Sequence, residues 1–316
     1  MSRYSELTRE GFALSDKKRD AGLETPADIK RYDNIAYCAQ DLPDSEGSRA
    51  LFYPEEWNLL DVYVRRDLCD EKKPVLINFH GGGWVYGDKE VYQFYGMKMA
   101  QLGFAFVNPN YRLGPESHFP TPLIDFDNVC RWVLDNADEY GFDKGRIFAV
   151  GDSAGAHLVG LYAALLTGER YRDLFYKEFA FRPASQVSLK GLLLNCGVYD
   201  LEADVQRLAK TESTTSNLLY DLFGEDRNVL RIRNLASPNR YITKDFPPCV
   251  VMTSNKDFLN YQAPFMTEAL TEEGVKFKYL EYGSDDDLLY HVFHCDQRNK
   301  TGHKANEDEA DFLMSL

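Results

Sequence analysis

The chain has 316 residues, of which 44% are hydrophobic, enough for one large α/β domain with a sizeable core. It carries 50 acidic and 36 basic side chains, and the resulting net charge of −14 argues against nucleic acid or an anionic membrane as a partner. The six cysteines form no C-x-x-C pair, so we expect reduced, mostly buried thiols. Residues 1–20 lack the apolar core of a signal peptide, and no apolar run reaches membrane-spanning length. A cytoplasmic protein without a membrane span is the expectation.

Predicted strands and helices alternate along the chain. A helical stretch is expected within the polar residues 1–33. Strands are predicted at residues 34–38, 59–64, 74–80, 104–108, 147–150, 192–195, 250–253 and 277–282. Helices are predicted at 91–102, 123–140, 154–167, 258–273 and 305–316. This alternation is typical of a parallel sheet covered by helices on both faces, within a single domain over residues 1–316.

Two regions break the alternation, namely residues 1–50 and residues 199–240, the second of which is rich in charged and small polar side chains. Irregular insertions on an α/β scaffold usually lie at the carboxyl edge of the sheet, where ligands bind. Both regions are therefore expected to contribute to a lid over a ligand site.

Residues 151–155, Gly-Asp-Ser-Ala-Gly, fit the pattern G-x-S-x-G. They stand between a predicted strand and a predicted helix, so the chain must make a sharp turn that presents the Ser153 hydroxyl as a nucleophile. Glycine is expected on both sides because a Cβ there would clash with its neighbours. A serine hydroxyl is a poor nucleophile at neutral pH, so this site requires a general base.

Three consecutive glycines follow the predicted strand 74–80, in the sequence His-Gly-Gly-Gly-Trp at residues 80–84. Such a loop lets backbone N–H groups point at a ligand and stabilise the negative charge of an acyl-transfer transition state. These N–H groups would act together with that of Ala154, the residue after the nucleophile. His80 is expected to hold the loop through hydrogen bonds. A lone Gly-Gly-Gly would favour a flexible turn, but the serine motif downstream favours an oxyanion hole.

The general base is sought among six histidines. His291 lies in the loop after the last predicted strand, which matches the order of nucleophile, acid and histidine in a hydrolase triad. His294 is the second candidate. Asp257 follows the preceding predicted strand and would hold the imidazole in the correct tautomer. It also qualifies as the N-cap of a helix that begins at Phe258, and both roles are compatible.

At this point the chain resembles the hormone-sensitive lipase family of α/β-hydrolase esterases, over residues 57–316. The resemblance rests on H-G-G-G-W-x-x-G-D at 80–88, on a Y-R-L-A-P-E-like segment at 111–116, on G-D-S-A-G at 151–155, and on segments similar to D-P-L at 257–259 and H-G-F at 291–293. It implies an α/β-hydrolase fold with a mostly parallel central sheet and a small lid. It also implies the triad Ser153, Asp257 and His291, with Asp152 in a supporting place. Dimers are common in that family, so a homodimer is a possible assembly.

The resemblance further implies that the oxyanion donors are the N–H groups of Gly82, Gly83 and Ala154. Departures from the family pattern touch packing around the triad and leave its functional groups intact; they are Phe258 for Pro, Asn260 for Arg, Val292 for Gly and Gly114 for Ala. The two regions assigned to the lid match no family motif.

The expected function is hydrolysis of small or short-acyl carboxylic esters by a serine carboxylesterase, through an acyl-enzyme. No metal and no cofactor is implied. Two other enzyme activities stay open, an arylformamidase-like amide hydrolase and a carbohydrate acetyl esterase. A non-catalytic receptor, as in the plant gibberellin receptor that resembles this family, is disfavoured because His291 is retained.

Overall fold

The computed structural model describes residues 2–38, 56–208 and 214–316. Its strands are β1 (Ile29–Ala36), β2 (Leu59–Arg65), β3 (Lys73–Phe79), β4 (Ala105–Pro109), β5 (Phe142–Asp152), β6 (Leu189–Asn195), β7 (Cys249–Ser254) and β8 (Phe277–Tyr282). Its helices are α1 (Arg3–Asp20), α2 (Gln93–Gln101), α3 (Thr121–Asp135), α4 (Ala137–Tyr140), α5 (Ala154–Thr167), α6 (Glu169–Phe179), α7 (Leu201–Leu208), α8 (Thr214–Phe223), α9 (Leu230–Leu235), α10 (Ala263–Glu272) and α11 (Lys300–Met314).

The strands form one eight-stranded sheet in the order β1-β2-β4-β3-β5-β6-β7-β8. The β1–β2 and β2–β4 pairs are antiparallel, whereas every pair from β4 to β8 is parallel. The expectation of a mostly parallel sheet is therefore confirmed. The parallel arrangement brings the carboxyl ends of β3, β5, β6, β7 and β8 to one edge of the sheet.

Alternating side chains of the central strands enter two hydrophobic clusters on opposite faces of the sheet. On β3, Val75 and Ile77 belong to one cluster and Leu76 to the other. The first cluster includes residues of α3, α5 and α10, and the second includes residues of α2 and α11. Because both faces are covered, β3 is buried along its whole length and its sequence is a nearly continuous apolar run.

The structure departs from the predicted elements in several places, since it adds α6, which was not predicted, and begins β1 at Ile29, where a strand was predicted from residue 34. Residues 199–240 were expected to be irregular, but they contain α7, α8 and α9, because leucines at helical spacing such as Leu218 and Leu222 pack into the core between polar neighbours. The helix predicted at 258–273 begins only at Ala263, with Pro264 in its first turn, where a missing N–H costs nothing. Of the expected lid, residues 39–50 and 209–213 lie outside the described residues.

Helix α1 is fastened across the edge of the sheet where the parallel strands end. The guanidinium of Arg9 donates to the carbonyl oxygens of Val85 at 2.7 Å and Gly114 at 2.9 Å, and it pairs with the Glu116 carboxylate at 2.6 Å. Near its amino end, the Ser5 hydroxyl donates to Asp221 of α8. Within the described parts of the chain, none of the helices combines the length and the apolar character that crossing a bilayer requires.

Candidate active site

Ser153 stands at the sharp turn between β5 and α5. Its backbone has φ 52° and ψ −118°, a strained combination for a residue with a side chain. The Ser153 N–H donates to the carbonyl oxygen of Asn195, at the end of β6, at 2.8 Å. A Cβ on Gly155 would lie 1.8 Å from the Phe79 carbonyl oxygen, and one on Gly151 would lie 2.4 Å from the backbone of Gly155. The turn therefore requires glycine at both flanking positions.

Asp152 connects this turn to the glycine loop. Its buried carboxylate accepts the Gly81 N–H at 3.1 Å on one oxygen and the Tyr92 hydroxyl at 2.8 Å on the other. Burial raises the pKa of Asp152 to about 6, against the opposing effect of these hydrogen bonds. The Asp152 carboxylate, next to Ser153 in the sequence, thus holds Gly81 at the start of the glycine loop.

His80 sits beneath the glycine loop and touches no cavity described below. Its Nδ1 lies 2.8 Å from the Gly81 carbonyl oxygen, which makes Nδ1–H the donor, and its ring stacks on Tyr111 with the centroids 4.1 Å apart. The Tyr111 hydroxyl in turn donates to the His80 carbonyl oxygen at 2.9 Å. Burial lowers the pKa of His80 to about 4, so this ring is neutral at physiological pH. Its contacts are those of a loop-holding residue.

The backbone N–H groups expected to bind an oxyanion belong to the loop and to the first turn of α5. Gly82 and Gly83 have φ values of +112° and +62°, which favour glycine. Ala154 is the first residue of α5, so its N–H has no acceptor within the helix and lies at the positive end of the helix dipole. Gly83 and Ala154 line the same cavity as Ser153.

Asp257 and His291 form a hydrogen-bonded pair. His291 Nδ1 lies 2.7 Å from an Asp257 carboxylate oxygen, and Asp257 also accepts the Leu259 N–H at 2.9 Å and the Thr253 hydroxyl at 3.0 Å. Burial acts to raise the pKa of Asp257, but the hydrogen bond from His291 and the other donors bring it below its ordinary value. The carboxyl is therefore ionised and oriented at neutral pH.

The prediction that Asp257 is the N-cap of a helix that begins at Phe258 is only partly confirmed. Its carboxylate accepts the N–H two residues later, as in an Asx turn, and α10 does not begin until Ala263. The aromatic ring of Phe258, where the related family has proline, is half exposed and lies against His291 with the ring centroids 4.3 Å apart. It covers one side of the imidazole.

Cys196 is a neighbour of this pair that the sequence patterns did not single out. The Cys196 sulfur, an Asp257 oxygen and a His291 ring nitrogen all lie within 4.8 Å of one another. Cys196 has φ +49°, and its N–H donates to the Met252 carbonyl oxygen at 2.7 Å. The thiol is one of the groups that lower the pKa of Asp257.

These three side chains are of types that bind metals. However, burial raises the pKa of the Cys196 thiol well above its ordinary value, which disfavours the thiolate that a metal requires. His291 Nδ1 is already engaged by Asp257 at 2.7 Å. The arrangement suits a thiol hydrogen bond to a carboxylate better than metal coordination.

Two other histidines lie close to the site but line neither of the two cavities at Ser153. His294, the second candidate for the base, is buried with its Nε2 3.4 Å from the side-chain nitrogen of Asn195, and burial lowers its pKa to about 3. His157 accepts the indole N–H of Trp84 at 3.2 Å and bonds to the Ala236 carbonyl oxygen at 2.7 Å. It ties the glycine loop to the segment before β7.

Ser153 and His291 open on two adjoining cavities. The larger, of about 490 Å³, has mostly apolar walls that include Trp84, Val198 and Leu218. The smaller, of about 200 Å³, has mixed walls, in which the charged side chains of Asp16, Arg19 and Asp152 lie among apolar and aromatic ones. The structure thus brings the candidate nucleophile and the candidate base to one place, with the glycine loop beside them.

Comparison with known proteins identifies the family. The family described as BD-FAE matches residues 60–264 of this chain. Esterase LipC of Mycobacterium tuberculosis is 28% identical over 214 residues, which are 66% of this chain and 50% of LipC. Versiconal hemiacetal acetate esterase of Dothistroma septosporum is 36% identical over 225 residues, 66% of this chain and 64% of that enzyme. The chain spans about half the length of LipC and of a second mycobacterial relative, esterase LipQ.

Solved structures match the fold over nearly the whole chain. Esterase B of Lactobacillus rhamnosis superposes with a TM-score of 0.84 at 21% identity, covering 98% of this chain and 94% of that one. An esterase of Pyrobaculum calidifontis has a TM-score of 0.70 at 21% identity, covering 100% of this chain and 94% of that one. The α/β-hydrolase fold expected from the sequence is confirmed. The chain belongs to the BD-FAE family and, through it, to the α/β-hydrolase esterases.

Proposed function

We propose that this protein is a serine hydrolase of carboxylic esters. The observation that supports this most directly is the shared opening of Ser153 and His291 onto one cavity, with His291 bonded to the ionised Asp257 at 2.7 Å. Esterase names recur among the relatives of this chain.

In the proposed reaction the Ser153 oxygen attacks the ester carbonyl carbon while its proton passes to His291 Nε2. Asp257 stabilises the imidazolium that forms. The tetrahedral intermediate collapses, and the proton on His291 goes to the departing alkoxide, which leaves as an alcohol. Water then gives a proton to His291 and attacks the acyl-serine, so that the carboxylic acid is released and Ser153 regains its proton.

The negative charge of both tetrahedral intermediates would be bound by the N–H groups of Gly82, Gly83 and Ala154. Such donors would be oriented before the reaction, since Asp152 and His80 both bond to Gly81 at the start of the loop and Ala154 begins α5. In comparable sites the loss of one donor lowers the rate by about 10²- to 10³-fold. This preorganisation would supply a large part of the catalysis.

Small or short-acyl esters are the proposed substrates. The larger cavity falls within the range typical of small-molecule sites, and its walls favour a hydrocarbon group. The helix α1, with α7, α8 and α9, is proposed as the lid that closes over these cavities. A formyl amide also presents a carbonyl carbon that Ser153 could attack, so it is tested beside the esters.

The decisive variant is Ser153→Ala. We expect turnover of p-nitrophenyl acetate to fall by about 10⁴-fold or more, because no other group takes over as nucleophile. Circular dichroism and thermal unfolding should match those of the wild type. Ser315→Ala, which changes the same residue type at the end of the chain, is the matched control. Full activity in Ser153→Ala, or turnover of N-formylkynurenine alone by the wild type, would refute the proposal.

A cytoplasmic location and a homodimer are further proposals. All six cysteines are free thiols, as in proteins of a reducing compartment. Fractionation of the producing cells tests the first proposal, and sedimentation equilibrium tests the second.

A further inference from the structure

Helix α1 lines both cavities at Ser153, and its side chains change character along its length. Its first three turns contribute Leu7, Thr8, Gly11 and Phe12 to the larger cavity. Its last turns contribute Ser15, Asp16 and Arg19 to the smaller cavity, which Phe12 also lines. One helix therefore provides apolar walls to the larger cavity and most of its polar side chains to the smaller one, and Ser153 lines both.

Within the apolar cavity, Gly11 marks open space. A Cβ built on Gly11 meets no atom within 4 Å, although the residue lies inside a helix and lines the cavity. Glycine costs about 1 kcal/mol relative to alanine in a helix interior. The space above Gly11 is available to a hydrocarbon chain attached to the carbonyl that Ser153 attacks.

Within the smaller cavity, Asp16 is held by two hydrogen bonds. One carboxylate oxygen accepts from Arg19 at 2.9 Å and the other accepts from the Tyr86 hydroxyl at 2.9 Å. A carboxylate oxygen has a second lone pair, so Asp16 keeps acceptor capacity toward the cavity. A ligand hydroxyl can donate to it.

We infer that α1 selects esters with a hydrocarbon acyl group and a small hydroxylated alcohol, the acyl group in the cavity lined by Gly11 and the alcohol in the cavity lined by Asp16. This inference rests on the proposed function, since it assigns the two halves of an ester cleaved at Ser153. The small cavity, about 200 Å³ in volume, limits the alcohol to roughly the space of seven water molecules. A glycerol moiety has the matching chemistry.

The acyl assignment is tested with Gly11→Leu and a p-nitrophenyl ester series from acetate to decanoate. The added side chain fills the apolar cavity, so kcat/KM for octanoate and decanoate should fall by at least about tenfold while that for acetate changes little. Glu10→Leu places the same side chain at the neighbouring exposed position and should leave the series unchanged. An identical chain-length profile in Gly11→Leu and the wild type would overturn this half of the inference.

The alcohol assignment is tested with Asp16→Asn and two butyrates, monobutyrin and ethyl butyrate. The wild type should prefer monobutyrin, and the ratio of kcat/KM values should drop by about tenfold in the variant, the loss expected for a hydrogen bond to a charged group. Asp20→Asn is the matched control because Asp20 also pairs with Arg19, at 2.7 Å, but does not line the cavity. An unchanged ratio in Asp16→Asn would overturn this half.

Both tests use the wild-type hydrolysis of p-nitrophenyl acetate as their reference. If the wild type hydrolyses that ester and loses the activity in Ser153→Ala, the proposed function stands whatever the selectivity experiments show. If the two variants keep wild-type selectivity, the assignment of α1 alone fails.

Discussion

The thiol of Cys196 faces the Asp257 carboxylate from the end of β6. In Cys196→Ala the carboxylate loses this neighbour, and we expect kcat for p-nitrophenyl acetate to fall by about three- to tenfold with KM unchanged, the range of one hydrogen bond. Cys196→Ser keeps a donor at this position and should restore most of the lost turnover. Steady-state kinetics on the three proteins provide the measurement.

Cys249 is the matched control for this prediction. It is fully buried on β7, and burial raises the pKa of its thiol. Cys249→Ala should lower the melting temperature through a small cavity and leave kcat unchanged. Equal losses of kcat in the two alanine variants, or no recovery in Cys196→Ser, would show that Cys196 acts only through packing.

The proposed nucleophile and its proposed partners could be predicted from the sequence because each follows a strand in the order that this chemistry uses. Asp257 and His291 lie after the last two predicted strands, and the structure brings them to 2.7 Å. Cys196 gives no such signal. Its proximity to Asp257 depends on which strands are neighbours and on a backbone with φ +49°, and neither follows from residue spacing.

Among the helices and strands, α1 is the element whose position at the cavities depends on a few side-chain hydrogen bonds. Arg9→Ala removes the donors to Val85, Gly114 and Glu116, so we expect α1 to detach more often. KM for p-nitrophenyl butyrate should rise about tenfold while kcat stays within about threefold, because the cavity walls open and Ser153 is untouched. Limited trypsin digestion at residues 17–19 should become faster.

Lys17→Ala is the control on the same helix, since Lys17 is exposed and lines neither cavity. It removes a charge without loosening α1, so KM should not change. Equal digestion rates and equal KM values for Arg9→Ala and the wild type would mean that Arg9 does not fasten the helix.

The sequence predicts a helical stretch near the start of the chain but not where it docks. The residues that fasten α1 include Arg9, Ser5 and Asp16, whose partners lie far along the chain. The helices within residues 199–240 were missed for a related reason. Their apolar residues are few, and a polar segment becomes helical only when leucines such as Leu218 find a core to pack against.

For the whole molecule, alternation of strands and helices was sufficient to predict the sheet, because parallel strands need covering helices.

The pH dependence of the free energy of unfolding depends on ionisable groups that are buried in this fold. His80 and His157 have pKa values lowered to about 4 by burial, and that of His294 is lowered to about 3. The unfolded chain binds protons at these histidines more tightly than the folded chain does. The stabilisation that the neutral histidines give the folded state is therefore present above pH 6.5 and is lost as the pH falls toward their lowered pKa values.

Glu309, on α11, lowers the stability of the folded state at high pH rather than at low pH. Burial raises its pKa to about 8, and the nearby Asn195 side chain does not offset this. The folded state therefore binds the proton more tightly than the unfolded state. The stabilisation is fully present below pH 4.5 and is lost as the pH rises to about 8, by up to about 1.4 kcal/mol per pH unit.

Glu309→Gln replaces the carboxyl with a neutral group of the same shape. We expect its melting temperature to fall less between pH 5.5 and 8.5 than that of the wild type, and to exceed the wild-type value at pH 8.5. Glu307→Gln changes an exposed carboxylate on the same helix and should reproduce the wild-type pH dependence. Parallel curves for Glu309→Gln and the wild type would mean that Glu309 is ionised in the folded protein, and that its burial is compensated by groups around Asn195.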